Sequence, residues 1–226
     1  MTRMTMCAAA AGGLWLAGSV MAAELSIQVL DRDGKPLPDA VVILESSATG
    51  ARPQPKMEHT IEQEGMRFVP ALSVVHLATK VNFVNLDRWD HHVRGGVVGP
   101  GGVYLDPSQG YAFRLAGKAP GKSPAREQRQ YSQTGPQLLG CHLHASMRGH
   151  LYVTDSPWAA VSDAQGQLRL SGVPAGSGRL RVWHADELVE TPAMAIQVLE
   201  GMAPVRMATQ VAPLKKRAPA GPSYGY

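Results

Sequence analysis

Short runs of alternating apolar and polar residues, such as Leu25-Ser26-Ile27-Gln28-Val29-Leu30 and Leu168-Arg169-Leu170, dominate this 226-residue chain. Such alternation sends successive side chains to opposite faces of a strand, and here it is cut every few residues by Gly, Pro, Asn or Asp. Almost no stretch repeats its apolar residues every three to four positions, as a helix facing a core must. The chain is therefore expected to be all-β and to bury its apolar faces sheet against sheet, as a β-sandwich. Hairpin turns are expected at Asp33-Gly34 and Gln165-Gly166, where a glycine tolerates positive φ.

Both ends depart from this pattern. Arg3 precedes an apolar, Ala-rich stretch over residues 8–21, followed by the small residues Ala22 and Ala23, which is the layout of a secretory signal peptide. Gly12, Gly13 and Gly18 interrupt the stretch, which falls short of the roughly 20 apolar residues of a spanning helix. Residues 1–22 are therefore read as a signal cleaved near Ala22 or Ala23. The mature protein is expected to be periplasmic and to carry no transmembrane segment. Cys7 leaves with the signal, and no lipid-anchoring pattern surrounds it. Cys141 is then the one cysteine, so no internal disulfide can form even though the compartment would permit one. A lone thiol in an oxidising space is at risk unless something holds it, and a metal ion would. At the other end, residues 213–226 are rich in Pro and Gly without apolar period and are expected to be disordered. The formal net charge of +4 owes much to Arg3 and to Lys215, Lys216 and Arg217. The body between is near neutral, with no aromatic-interleaved basic patch, which argues against a nucleic-acid partner.

The run Gly140-Cys141-His142-Leu143-His144-Ala145-Ser146-Met147 places a thiolate, an imidazole and a thioether at CxxHxxM spacing. These are soft donors, and a blue copper centre needs a thiolate, two imidazoles and a weak axial thioether. The second imidazole must come from elsewhere, and the run Phe83-Val84-Asn85-Leu86-Asp87-Arg88-Trp89-Asp90-His91-His92-Val93 offers His91 and His92. Strand alternation puts these two on opposite faces, so only one can point at a metal. The same alternation turns His142 outward. His59, His76 and His150 are expected to be exposed, His184 to be structural, and the basic residues 118–129 to form a solvated connection. The chain has no CxxCH, HExxH or GxSxG motif, and no further His-rich cluster of the kind several coppers would need. One copper without an open position points to electron transfer and not to an enzyme.

Two resemblances extend this reading. The segment from the Ile61 strand through Phe68-Val69-Pro70 to Leu151-Tyr152-Val153 resembles the cupredoxins. Phe83, Asn85, Trp89 and His91 match the Phe-x-Asn-x-x-x-aromatic-x-His pattern around the first histidine ligand of plastocyanin and amicyanin, and the CxxHxxM loop is close in length to that of amicyanin. The resemblance implies a Greek-key sandwich over residues 57–155 and one type 1 copper held by His91, Cys141, His144 and Met147. It also implies His144 as the electron port and redox partners such as a cytochrome or a dehydrogenase. The sequence departs from those proteins at His92, where they carry Asn, and at Ala145, where amicyanin has Pro.

The second resemblance concerns residues 27–44 (IQVLDRDGKPLPDAVVIL) and residues 159–183, which look like the opening and closing halves of a carboxypeptidase-regulatory-like domain, a small transthyretin-like sandwich. The halves are separated by about the length of one compact domain. The expected organisation is thus a discontinuous sandwich over residues 24–46 and 157–200 with the copper-binding sandwich inserted into it. As a whole the chain resembles cupredoxin-containing proteins of the type labelled methylamine utilization protein. These features together lead to the expectation of an exported, monomeric blue copper protein carrying single electrons. The alternative is a copper-binding or delivery protein without redox turnover.

Overall fold

The computed structural model of the protein describes residues 22–48, 52–106, 108 and 110–212. Apart from Ala22, the expected signal at residues 1–22 lies outside the described residues, as does the tail at 213–226. No α-helix occurs among the described residues, and one 3-10 turn forms at Pro100–Gly102. The chain opens with β1 (Ala22–Leu30) and β2 (Val41–Ser46). It continues through β3 (Glu58–Gln63), β4 (Phe68–Val69), β5 (Leu72–His76), β6 (Lys80–Asn85), β7 (His91–Val97), β8 (Tyr111–Leu115), β9 (Arg126–Arg129), β10 (Gly135–Cys141) and β11 (Arg148–Thr154). It closes with β12 (Ala159–Val161), β13 (Gln167–Pro174), β14 (Gly176–Trp183), β15 (Met194–Val198) and β16 (Val205–Ala208).

These strands form four sheets, and the pairing is strongly non-local. One sheet runs β13-β1-β16 and a second β12-β2-β14-β15, so the two ends of the chain pair with each other. The middle of the chain makes the other two, β5-β11-β10-β7-β8 and β4-β3-β6-β9. The alternation of β1 turns Leu25, Ile27 and Val29 into a first core, where they meet Val42, Leu44, Leu168, Leu170, Leu180 and Trp158. Ile61, Phe68, Val81 and Phe83 meet Val93, Leu139, Cys141, Leu151 and Val153 in a second core.

Strand β2 is buried on both faces, which explains its unbroken Val41-Val42-Ile43-Leu44 run. Val42 and Leu44 enter the first core. Val41 and Ile43 point the other way, against Tyr152 of β11, with Leu72, Val74 and Trp183 around them. The sandwich made by the chain ends and the one made by its middle are therefore joined by a small apolar contact of their own.

Both expected turns form, with Gly34 at φ 76° and Gly166 at φ 69°. Asp31 Oδ1 accepts the Asp33 and Lys35 N–H groups, and Asp163 Oδ1 accepts those of Gln165 and Gln167. The first closes a short hairpin through the antiparallel Leu30–Pro36 bridge, but neither joins neighbouring strands of one sheet. Each carries the chain from one sheet to the other, from β1 to β2 and from β12 to β13. After the first turn Pro36 and Pro38 lack the N–H groups a ladder requires, so return pairing along β1 stops at the Leu37 N–H to Val29 C=O bond. Within the basic stretch, residues 126–129 are not a free connection but form β9, the edge strand beside β6.

Candidate metal centre

The centre lies at one end of the second core, where β6, β7 and β10 terminate or begin. Asn85, the last residue of β6, is fully buried and organises the loop that leads into β7. Its Nδ2 donates to the carbonyls of Trp89, Ala116 and Leu115 at 2.9, 3.0 and 3.2 Å, and its Oδ1 accepts the Asp87 N–H at 2.9 Å. Gly117 allows the neighbouring chain to approach, since a Cβ there would stand 2.2 Å from the Arg88 carbonyl oxygen. The Gly117 N–H donates to Asp90 Oδ1 at 2.7 Å, while Arg114 binds Asp90 Oδ2. The Arg114 guanidinium, and after it the Gly117 N–H, hold the Asp90 carboxyl below the ordinary carboxylate range.

His91, the first residue of β7, is fully buried, and the loop fixes which of its nitrogens faces inward. Its Nε2 lies 2.9 Å from Asp87 Oδ2 and donates to it, which leaves Nδ1 as the accepting nitrogen, 3.8 Å from Cys141 Sγ. Asp87 is itself clamped by the tip between β3 and β4, where Gly65 and Met66 lie at φ 60° and 58°. Their N–H groups donate to Oδ1 at 2.7 Å and to Oδ2 at 3.0 Å. Burial works against the charged Asp87, but the bonds from Met66, His91 and Gly65 outweigh it and hold the carboxyl below its ordinary range.

Cys141 ends β10 opposite Val93 of β7, and the His142 N–H to His92 C=O bond at 2.9 Å continues the pairing past it. The chain then folds back through a turn closed by the Met147 N–H to His144 C=O bond at 2.9 Å. This brings His144 Nδ1 to 3.6 Å from Cys141 Sγ, and the rings of His91 and His144 meet edge to face with centroids 5.0 Å apart. His91, Cys141 and His144 thus offer three ligand atoms within 4.8 Å of one another.

The two sulfur–nitrogen separations suit a first-row metal ion. With metal–sulfur and metal–nitrogen bonds of about 2.3 and 2.0–2.1 Å, sulfur–nitrogen separations of 3.6–3.8 Å subtend angles of about 110–120° at the ion. A thiolate with two imidazoles is a soft set consistent with one copper. Met147 is buried in the same core as Cys141. His92 points away from this group, and its ring packs instead against His142, with centroids 4.8 Å apart.

Asp87 is the residue that reading the sequence missed. Its spacing four before His91 was visible, but in a loop such spacing has no fixed direction. His59, His76 and His150 are half-buried where exposure was expected. His59 Nε2 is 2.8 Å from Ser73 Oγ, His76 Nε2 is 3.1 Å from the Asp155 carbonyl, and His150 packs on Trp183. His184 is buried, and its Nδ1 accepts the Asp186 N–H at 3.0 Å.

No protein-family model and no curated protein matches the chain. Several solved structures are similar to part of it. A proline-to-phenylalanine mutant of amicyanin in its reduced state is 20% identical, with a TM-score of 0.31, over 42% of this chain and 80% of that one. An oxidised methionine-to-lysine mutant of amicyanin is 14% identical, with a TM-score of 0.33, over 51% of this chain and 99% of that one. A purple cupredoxin from Nitrosopumilus maritimus is 16% identical, with a TM-score of 0.30, over 44% of this chain and 100% of that one.

Because Asp87 selects the tautomer and orientation of His91, Asp87→Asn is expected to weaken metal binding by about 10–100-fold. Competition against a chelator of known affinity measures this, and unchanged affinity would show that His91 needs no such partner.

Proposed function

We propose that this chain is an exported type 1 copper protein that carries single electrons between redox partners. The observation that supports this most is the convergence of one ligand atom each from His91, Cys141 and His144 within 4.8 Å at the end of a β-sandwich core. In this reading His91, Cys141 and His144 are the strong ligands and Met147 is the weak axial one. Bound copper would supply the one-electron Cu(II)/Cu(I) couple. The chain supplies the restraints on the donors: Asp87 holds His91, the pairing of β10 with β7 holds Cys141, and the 142–147 turn holds His144. Ligands held in this way need little rearrangement between oxidation states.

Four protein donors leave no position for a substrate, so the centre is read as a carrier and not as an enzyme. His144 is half-buried, and Leu143 beside it is 56% exposed. This is the face through which a partner such as a cytochrome or a dehydrogenase would exchange electrons. Export to the periplasm rests on the signal-like residues 1–22 and on the lone thiol, which a metal would protect.

We also propose that the two cores are two domains. A cupredoxin domain over residues 57–155 is inserted into a carboxypeptidase-regulatory-like sandwich over residues 24–46 and 157–200, extended by β16. The pairing of β1 with β13, and of β2 with β12 and β14, supports this division. A fragment spanning residues 57–155 is expected to fold and bind copper alone, though less stably than the whole chain because Tyr152, Leu72 and Val74 lose their cover. An insoluble, metal-free fragment alongside a metal-binding whole chain would show that the sandwiches fold as one unit.

The Cu(II) protein is expected to show an intense visible thiolate-to-copper band that disappears in Cys141→Ser. It should also disappear in His91→Ala and survive in His92→Ala. A band that survives loss of Cys141 would reject a type 1 centre, and loss at position 92 alone would reassign the second imidazole.

A carrier must keep its metal in both oxidation states, whereas a delivery protein must release it. Reversible one-electron voltammetry is expected, with no copper lost to a moderate Cu(I) chelator over repeated cycles. Prompt loss to the chelator on reduction would favour delivery even if the oxidised protein were blue.

A further inference from the structure

The outer face of the same two strand ends carries a second histidine pair that the inner group does not use. His92 follows His91 on β7, and His142 follows Cys141 at the end of β10, so alternation turns both away from the core. The His142 N–H to His92 C=O bond at 2.9 Å sets them side by side, with ring centroids 4.8 Å apart and planes inclined at 50°. His142 is exposed and His92 half-exposed. We propose that His92 and His142 form a second, solvent-facing metal site that binds a borderline divalent cation, Cu(II) or Zn(II), through one nitrogen of each ring.

The spacing admits a chelating pair. An ion about 2.0–2.1 Å from one nitrogen of each ring stands about 3.2 Å from each centroid, so rings bound at about 90–109° have centroids about 4.5–5.2 Å apart. The observed 4.8 Å falls inside that interval. The inner pair, His91 and His144, whose nitrogens do converge with Cys141 Sγ, has nearly the same relation, at 5.0 Å and 63°. Imidazole donors select copper and zinc over hard cations, which require oxygen ligands.

The surroundings make this a weaker site than the inner one. It offers two protein donors, with water completing the set. Arg114 stands opposite His92 on β8, although Asp90 engages its guanidinium. Arg94, two residues along on the same face of β7, lies over Gly140. An ion held here would be exchangeable and would sit one residue along the chain from two inner ligands, a landing place outside the buried centre.

The test is titration of the copper-loaded, full-length protein with further Cu(II) and, separately, with Zn(II), followed by electron paramagnetic resonance and calorimetry. The wild type is expected to take one more ion per chain. The added Cu(II) should show nitrogen coupling and no thiolate band. His142→Gln is expected to lose this ion while the absorption of the inner centre stays unchanged. Comparison of the two titrations tells which cation the pair prefers. A wild type that takes neither ion, or a His142→Gln protein that binds the added ion as tightly as the wild type, overturns the proposal. If the inner centre takes no copper, the comparison of wild type with His142→Gln still decides the outer site.

Discussion

The hydrogen bond between His91 Nε2 and Asp87 Oδ2, 2.9 Å long and buried, determines which nitrogen of His91 faces Cys141. Without it the ring could present either edge to the core, and a buried polar atom would be left unpaired at a cost of about 1–3 kcal/mol. The Gly65 and Met66 N–H groups hold the Asp87 carboxylate in place for that bond, and Asn85 Oδ1 pins the backbone at Asp87. A chain of contacts therefore runs from a turn in one sheet to a histidine at the start of a strand in the other. Hydrogen bonds of the chain itself thus set the direction of the His91 donor.

The second dependence is on pairing between distant segments. β7 and β10 lie about 45 residues apart in sequence, yet the register Cys141 opposite Val93 places Cys141 and His91 on the same side of the sheet and His92 with His142 on the other. A slip of β10 by one residue would put His142 on the side of His91 and Cys141 on the side of His92. The apolar contact between the two sandwiches works at a larger scale. Val41 and Ile43 give β2 a second buried face, so the sandwich formed by the chain ends supports the back of the sheet that carries β10 and β11.

Much of this was legible in the sequence because it depends on period. Alternation in segments such as β1 and β13 marks an all-β chain, and the same alternation separates His91 from His92 and turns His142 outward. The fixed offsets from Cys141 to His144 and Met147 by themselves mark a soft donor set. What period does not govern was hidden. The turns at Gly34 and Gly166 are recognisable, but which sheet each following strand joins depends on prolines and on partners more than a hundred residues away. β9 looks like a charged connection because Arg126, Glu127, Gln128 and Arg129 carry no apolar face, and it is a strand through pairing with β6. Asp87 escaped notice because loop geometry, not spacing, turns its carboxylate toward His91.

The central claim concerns which atoms bind copper, and X-ray absorption at the copper edge of the loaded protein tests it most directly. One short sulfur contact and two imidazole nitrogens are expected in the Cu(II) form, with the short sulfur absent in Cys141→Ser. A shell of nitrogen and oxygen alone in the wild type would contradict it.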